Sequence, residues 1–214
     1  MPRAGRSTGA QEARAPRAVW RVSWLTRRGA AAAFAVGLTI GYGLGWRGLV
    51  LVLAFFVSSS LLTTAAEGGE GPRNARQVLA NGGVAALAAL AGSWLAFAGS
   101  LAAATADTWA SEIGRHSRTP PRLITNGIRV PAGTDGGMTL LGTAGGIAGA
   151  GFVAGLSSLV GQRSTLAVAV AGVVGMLVDS LLGATVQGKV RWMDNDAVNL
   201  AATLTGAACA GLVG

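Results

Sequence analysis

The sequence predicts an all-α, polytopic integral membrane bundle of about six or seven helices, including one broken or re-entrant helix pair. Three observations carry this. The 214 residues are 51% hydrophobic and only 12% charged, about half the charge of a water-soluble chain, where roughly 25% is usual. Mean hydropathy is +0.50. The apolar residues fall into long runs, most of them near the roughly 20 residues that cross a bilayer as a helix. The 34 glycines are interrupted by these runs and have no collagen period. One cysteine, Cys209, and one histidine, His116, exclude a disulfide framework, a cysteine-rich metal site and any mechanism needing a histidine pair.

Taken in order, residues 1–24 are rich in Arg, Ala, Gly and Pro and read as a basic, disordered cytoplasmic tail. A transmembrane domain follows over 25–214. Spans are expected at 29–44, 48–64, 138–160, 165–187 and 197–213. Because many apolar segments follow the first, a cleaved signal peptide is not expected. Between the second and third of these spans lies an apolar stretch at 79–106. Its 28 residues would make a helix of roughly 42 Å, too long for one untilted span and too short for two full ones.

The distribution of charge decides how that stretch runs. If it crosses once, ten cations face seven across the membrane. If it turns back near Gly92 and Ser93, fifteen share one side and only Arg47 and Arg163 lie on the other. The second arrangement matches the positive-inside bias and places the polar motifs at the cytoplasmic face. The net charge of +8 is therefore read as topology and attraction to anionic lipid, not as nucleic-acid binding. Glycines repeat at four residues in Gly37, Gly41 and Gly45, in Gly142 and Gly146, and in Gly151 and Gly155. Such spacing lets helices approach closely in lipid, and homo-oligomerisation is left open.

The few polar residues inside apolar runs are where function is sought. Asp179 lies within GMLVDSLLGATVQ, where a carboxylate costs at least ~2.5 kcal/mol and so faces the bundle interior. Ser180, Gly183 and Gln187 follow on one face. ADTWASEIG ends the 79–106 stretch and carries Asp107, Thr108, Ser111 and Glu112. Carboxylates and hydroxyls without His or Cys suit a hard cation such as Mg²⁺, or are simply a solvated helix end. Asp107 and Glu112 are about 140° apart on an ideal helix, so they converge only near a helix end or break.

From Leu123, LITNGIRVPAGTDGGMTLLG is rich in Pro and Gly, which oppose regular structure. Its glycines just before a helix could offer amides to phosphate, and Arg122 and Arg129 flank it. No Walker lysine follows. GPRNARQVLANGG places Arg73, Gln77 and Asn81 on one stripe with Asn74 beside them. Near the end, KVRWMDNDAVN puts Asp196, Asn199 and Thr203 on one face. Lys189 and Arg191 read equally as anchors or as site residues. Together these groups suit a Mg²⁺-dependent reaction on a phosphorylated substrate with an apolar tail, because phosphoryl transfer needs mainly positioning and charge neutralisation.

Read in order, RNARQVLANGG, ADTWASEIG, LIT…VPAGTDGG, DSLLGATVQ and DNDAVN resemble the membrane family called domain of unknown function 92, which includes plant phytyl-phosphate kinase. The resemblance runs from about Leu25 to the C-terminus. It implies an isoprenyl-monophosphate kinase, using a nucleoside triphosphate (CTP or ATP) and phytyl or geranylgeranyl phosphate, with Mg²⁺. On that basis Asp107, Glu112 and Asp179 are the expected Mg²⁺ ligands, and Arg73, Arg122 and Arg129 the phosphate clamps. Gly133, Thr134, Gly136 and Gly137 would cradle phosphate, with Asp135 and Lys189 beside the bound groups. Asn74, Gln77, Asn81, Gln187 and Asn199 would orient ligands or water. Asp135 departs from the asparagine usual in this loop, and relatives often carry a further apolar segment before the first span. Two other readings stand beside the kinase: a lipid-phosphate cytidylyltransferase, and a small transporter without enzymatic activity.

Overall fold

The computed structural model describes residues 24–65, 71–161 and 165–213. The expected basic tail, up to residue 23, and Arg163 lie outside these residues. Six helical elements are present: α1 (Arg27–Ala65), α2 (Ala75–Leu90), α3 (Trp94–Gly114), α4 (Leu140–Leu159), α5 (Thr165–Thr185) and α6 (Asn195–Val213). Two two-residue strands, β1 (Arg122–Leu123) and β2 (Gly137–Met138), pair antiparallel between α3 and α4. The Gly- and Pro-rich loop therefore contains a short ladder where no regular structure was expected. The chain is otherwise helical, as expected for an integral membrane bundle.

A continuous α1 of 39 residues would reach about 58 Å, roughly twice the bilayer core. It does not run straight. Gly45 leaves the helical region at φ 65°, ψ −156°, a conformation natural to glycine and costly to other residues. A Cβ on Gly48 would meet the Ile40 side chain, eight positions earlier, so the two limbs double back as a hairpin. Trp24 and Phe56 meet edge to face at 5.8 Å, which brings the two open ends together. Each limb matches one of the two spans expected from the sequence.

The 79–106 stretch is broken in the same way. The Ser93 side chain accepts from the Ala96 N–H to start α3, and Gly92 turns the chain at φ 68°. Asn74 and Gln77 form a reciprocal capping box that starts α2, two backbone N–H groups that would otherwise be orphaned. The end of α2 lies beside the α1 turn, since a Cβ on Gly43 would strike the Ala89 backbone. The turns at Gly45 and Gly92 thus share one end of the bundle. Trp94 Nε1 donates to Ser157 Oγ at 2.8 Å, adding the end of α4 to that same end.

Helix α3 is the axis. It packs against α1, α2, α4, α5 and α6, which follow one another around it in the order α1, α2, α6, α5, α4. Phe97, Ala98, Leu101, Ala102 and Ala103 are fully enclosed. Small residues make the crossings possible: Gly99 of α3 and Gly206 of α6 each face the other's backbone, and Gly172 and Gly175 of α5 lie on Ala102 and Ala103. The outer surface is apolar, with Phe34, Leu38, Tyr42, Leu87, Leu140 and Leu166 all exposed. That inverted pattern is what a lipid solvent requires. By length and composition α1, α4 and α5 qualify as spans. α2 is only 16 residues long, and α3 and α6 owe their more polar sequences to the cavity they line.

Candidate functional site

At the end opposite the Gly45 and Gly92 turns, the bundle opens into a cavity of about 690 Å³. Residues from every helix line it, together with the 115–139 loop. The Asp107 carboxyl, on the last turns of α3, adjoins that of Asp179 on α5, with Asp135 of the loop close by. Asp179 Oδ2 is buried and has no hydrogen-bond partner. A buried, unpartnered carboxylate oxygen beside a second carboxylate is costly, and a cation between the two would offset that cost.

Glu112 also lines the cavity, but it is turned away from this pair. It is buried, and its Oε2, which makes no hydrogen bond, lies 3.2 Å from Nε of Arg115, the residue that caps α3, as an ion pair. The expected trio of Asp107, Glu112 and Asp179 therefore does not converge. Among the described residues no three His, Cys, Asp or Glu side chains gather closely enough to hold a metal ion. The reason is helical geometry, since Asp107 and Glu112 are five positions apart on regular α-helix and no break intervenes. Two carboxylates still fit Mg²⁺, which keeps several waters and commonly takes one or two carboxylates plus phosphate oxygens.

Arg73 reaches the cavity from the start of α2. Its Nη atoms lie 3.5 Å from Ser60 Oγ and 3.4 Å from Thr63 Oγ1, and its backbone bridges to Leu25. It ties the two ends of the α1 hairpin to α2 while presenting its charge to the cavity. Arg122 and Arg129 are not at the cavity wall. They face each other across the loop hairpin, and Arg122 Nη1 donates to the Gly127 carbonyl at 2.8 Å. Arg115 and Arg118 line the cavity instead. Sequence reasoning missed these two as site residues, although Arg115 at i+3 from Glu112 was a legible signal.

The Gly-rich loop lies over α5. Gly136 has φ 72° and packs so closely on Ser180 and Ala184 that no side chain fits; Gly183 faces Gly136 in turn. This contact holds Asp135 near Asp179, with Gly133 and Thr134 in the cavity wall. The expected amide cradle is partly consumed by the loop itself. The Thr134 N–H donates to Pro131 O at 3.2 Å and the Gly137 N–H to Thr134 O at 3.0 Å.

Other expected ligand groups also have structural work. Asn74 and Gln77 cap α2, and Asn81 Nδ2 donates to Gln77 O at 3.1 Å. Gln77 and Asn81 line the main cavity, whereas Asn74 lines a smaller adjoining recess of about 370 Å³ with Gln187, Asp194 and Asp196. Lys189 Nζ donates to Ala184 O at 3.1 Å and Thr185 O at 2.9 Å, closing the C-terminus of α5, a helix cap that the sequence reading does not include. Buried Asn199 and the half-buried Gln187 line the main cavity. At its rim Arg76 pairs with Asp194 at 2.7 Å and Asp196 at 3.4 Å. The Ala197 N–H and then Arg76 hold the Asp194 carboxyl below the usual carboxylate range.

These features define a polytopic helical membrane protein with a polar, carboxylate-bearing cavity at one end of the bundle. The comparisons agree: the profile of the integral membrane protein family DUF92 matches residues 15–207, and the chain belongs to that family. It is 37% identical over 187 residues to an uncharacterized membrane protein of Methanocaldococcus jannaschii, covering 80% of this chain and 78% of the relative. It is 34% identical over 214 residues to an uncharacterized membrane protein of Synechocystis, covering 87% and 81%. It is also 30% identical over 206 residues to the chloroplastic protein VTE6 of Arabidopsis thaliana, covering 84% of this chain and 62% of VTE6. No solved structure matches it.

Proposed function

We propose that this protein is an isoprenyl-monophosphate kinase, passing a phosphoryl group from CTP or ATP to phytyl or geranylgeranyl phosphate. The observation that carries the reading is the Asp107–Asp179 pair, with a buried, unpartnered Oδ2, in a cavity that also holds Arg73, Arg115 and Arg118. Membership of DUF92 supports it through the reaction implied for the family. A Mg²⁺ ion bound to the two aspartates would neutralise charge on the transferring phosphate.

The protein's own groups would position the reactants. Arg115, braced by Glu112, and Arg73 bind phosphate oxygens. Asp135 and the loop that Gly136 seats on α5 close the site from above. A phosphate oxygen of the isoprenyl monophosphate attacks the γ-phosphorus, the bond to the β-phosphate oxygen breaks, and nucleoside diphosphate leaves. Every described lysine and arginine except Arg47 belongs to the cavity end, which supports a cytoplasmic site by the positive-inside bias.

The test is direct. Purified protein is incubated with Mg²⁺, CTP or ATP, and phytyl or geranylgeranyl phosphate, and the products are weighed. Isoprenyl diphosphate with nucleoside diphosphate is expected. Pyrophosphate with a cytidylylated lipid would replace the kinase by a cytidylyltransferase, and the absence of both would overturn the reading.

A further inference from the structure

The five elements around α3 do not close equally. α1 packs extensively on α2, α2 on α6, α6 on α5 and α5 on α4, whereas α4 and α1 barely touch. The cavity reaches this loose seam from within. Thr63, on the last turn of α1, and Thr139 and Thr143, at the start of α4, are both in its wall. Behind them α3 contributes Glu112 and Arg115. Trp109, one turn before Glu112, stacks on Phe152 of α4 at 5.3 Å, so this side of α3 is turned towards α4. Asp107 lies about 140° round the helix from Glu112, on the side where Asp179 meets it.

A polar wall that ends at a poorly closed seam in an apolar, lipid-facing surface suits a molecule with an anionic head and an apolar tail. We infer that the lipid phosphate reaches the cavity sideways from the bilayer, between the end of α1 and the start of α4. Its phosphate is met first by Arg115, held in place by Glu112, and its chain stays in the seam. The nucleotide reaches the aspartate pair separately, from the aqueous mouth beside Asp135 and Asp194. The two substrates thus approach α3 from different sides. This inference rests on the lipid-phosphate reading of the cavity.

The test uses geranylgeranyl monophosphate carrying a diazirine on its chain, with the full-length protein in nanodiscs. After illumination, labelled peptides are mapped with and without excess unlabelled lipid phosphate. Competed labelling is expected around Thr63 and along the first turns of α4. Competed labelling centred on the α2–α6 or α5–α6 contacts, or none anywhere, overturns the path. In parallel, Thr63→Cys with Thr143→Cys, in a Cys209→Ser background, is bridged by a short bifunctional maleimide. Bridging is expected to lower turnover of geranylgeranyl phosphate by about tenfold or more and to spare short, water-soluble isopentenyl phosphate. Equal turnover of the long substrate after bridging overturns the path. Labelling at the seam without any turnover keeps the path and rejects the kinase; turnover with labelling elsewhere does the reverse.

Discussion

Asp179 and Glu112 are both acids in apolar surroundings, and their partners give them different roles. Asp179 Oδ2 and Glu112 Oε2 are both buried without a hydrogen bond, but Asp179 adjoins a second carboxylate, whereas Glu112 is ion-paired to Arg115. Asp179→Asn keeps the shape and removes the charge. It is expected to reduce turnover by at least about 100-fold and to abolish any rise in thermal midpoint on adding Mg²⁺. The midpoint without metal should stay the same or increase, because a charge beside a like charge is gone. Near-normal turnover would remove Asp179 from the site. Glu112→Gln removes the ion pair with Arg115 without touching the aspartate pair. The KM for the lipid phosphate should rise by about tenfold, with the Mg²⁺ dependence unchanged. A shift in Mg²⁺ dependence instead would restore Glu112 as a ligand.

At the scale of elements, glycine decides where helices break and where they meet, and spacing alone does not separate the two uses. Gly142 and Gly146 of the expected four-residue repeats do pack closely, on Ala110 and Met176. Gly37, Gly151 and Gly155 face open space, and Gly45 is a break. One of the closest backbone crossings, Gly99 on Gly206, belongs to no repeat that the sequence displays, because its partners lie on different helices. Gly99→Ala forces two backbones apart and should cost about 1–3 kcal/mol. Gly151→Ala should be neutral or stabilising by up to about 1 kcal/mol, since alanine is the better helix former and nothing is in its way. Thermal unfolding of both variants in one detergent checks this; equal midpoints would contradict the crossing.

The same distinction explains what was legible. Hydrophobic runs gave the spans at 138–160 and 165–187 to within two residues of α4 and α5, because a bilayer imposes length and apolarity locally. The motif residues Asp107, Asp179, Asp135 and Arg73, which stand out as polar groups in apolar sequence, do line one cavity. Arg122, Arg129 and Lys189 were drawn to the site by charge alone, and the structure spends them on a loop hairpin and a helix cap. Which cation faces a cavity depends on how the 115–139 loop folds onto α5, through the contact of Gly136 with Ala184. That is a tertiary fact with no local signature.

The whole molecule rests on an even number of crossings by α2 and α3. If that stretch crossed once, the loop carrying Arg115 to Arg129 would lie on the same side as Arg47, and the cavity could not gather its residues. Two contacts at opposite ends of α3 argue against this: Trp94 with Ser157 at the turn end, and Asp107 with Asp179 at the cavity end. Single cysteines in a Cys209→Ser background test the arrangement in intact bacterial cells with a membrane-impermeant maleimide. Ala91→Cys, at the turn between α2 and α3, and Ser158→Cys, at the end of α4, are both at exposed positions and should label from outside. Thr119→Cys, on the exposed cavity-end loop, should label only after the cells are opened. Among the described residues every lysine and arginine but Arg47 falls at the cavity end, the end that the positive-inside bias would turn to the cytoplasm. Labelling of Thr119→Cys from outside together with protection of Ser158→Cys would invert the protein in the membrane, and with it the supply of cytoplasmic nucleotide on which the proposed reaction depends.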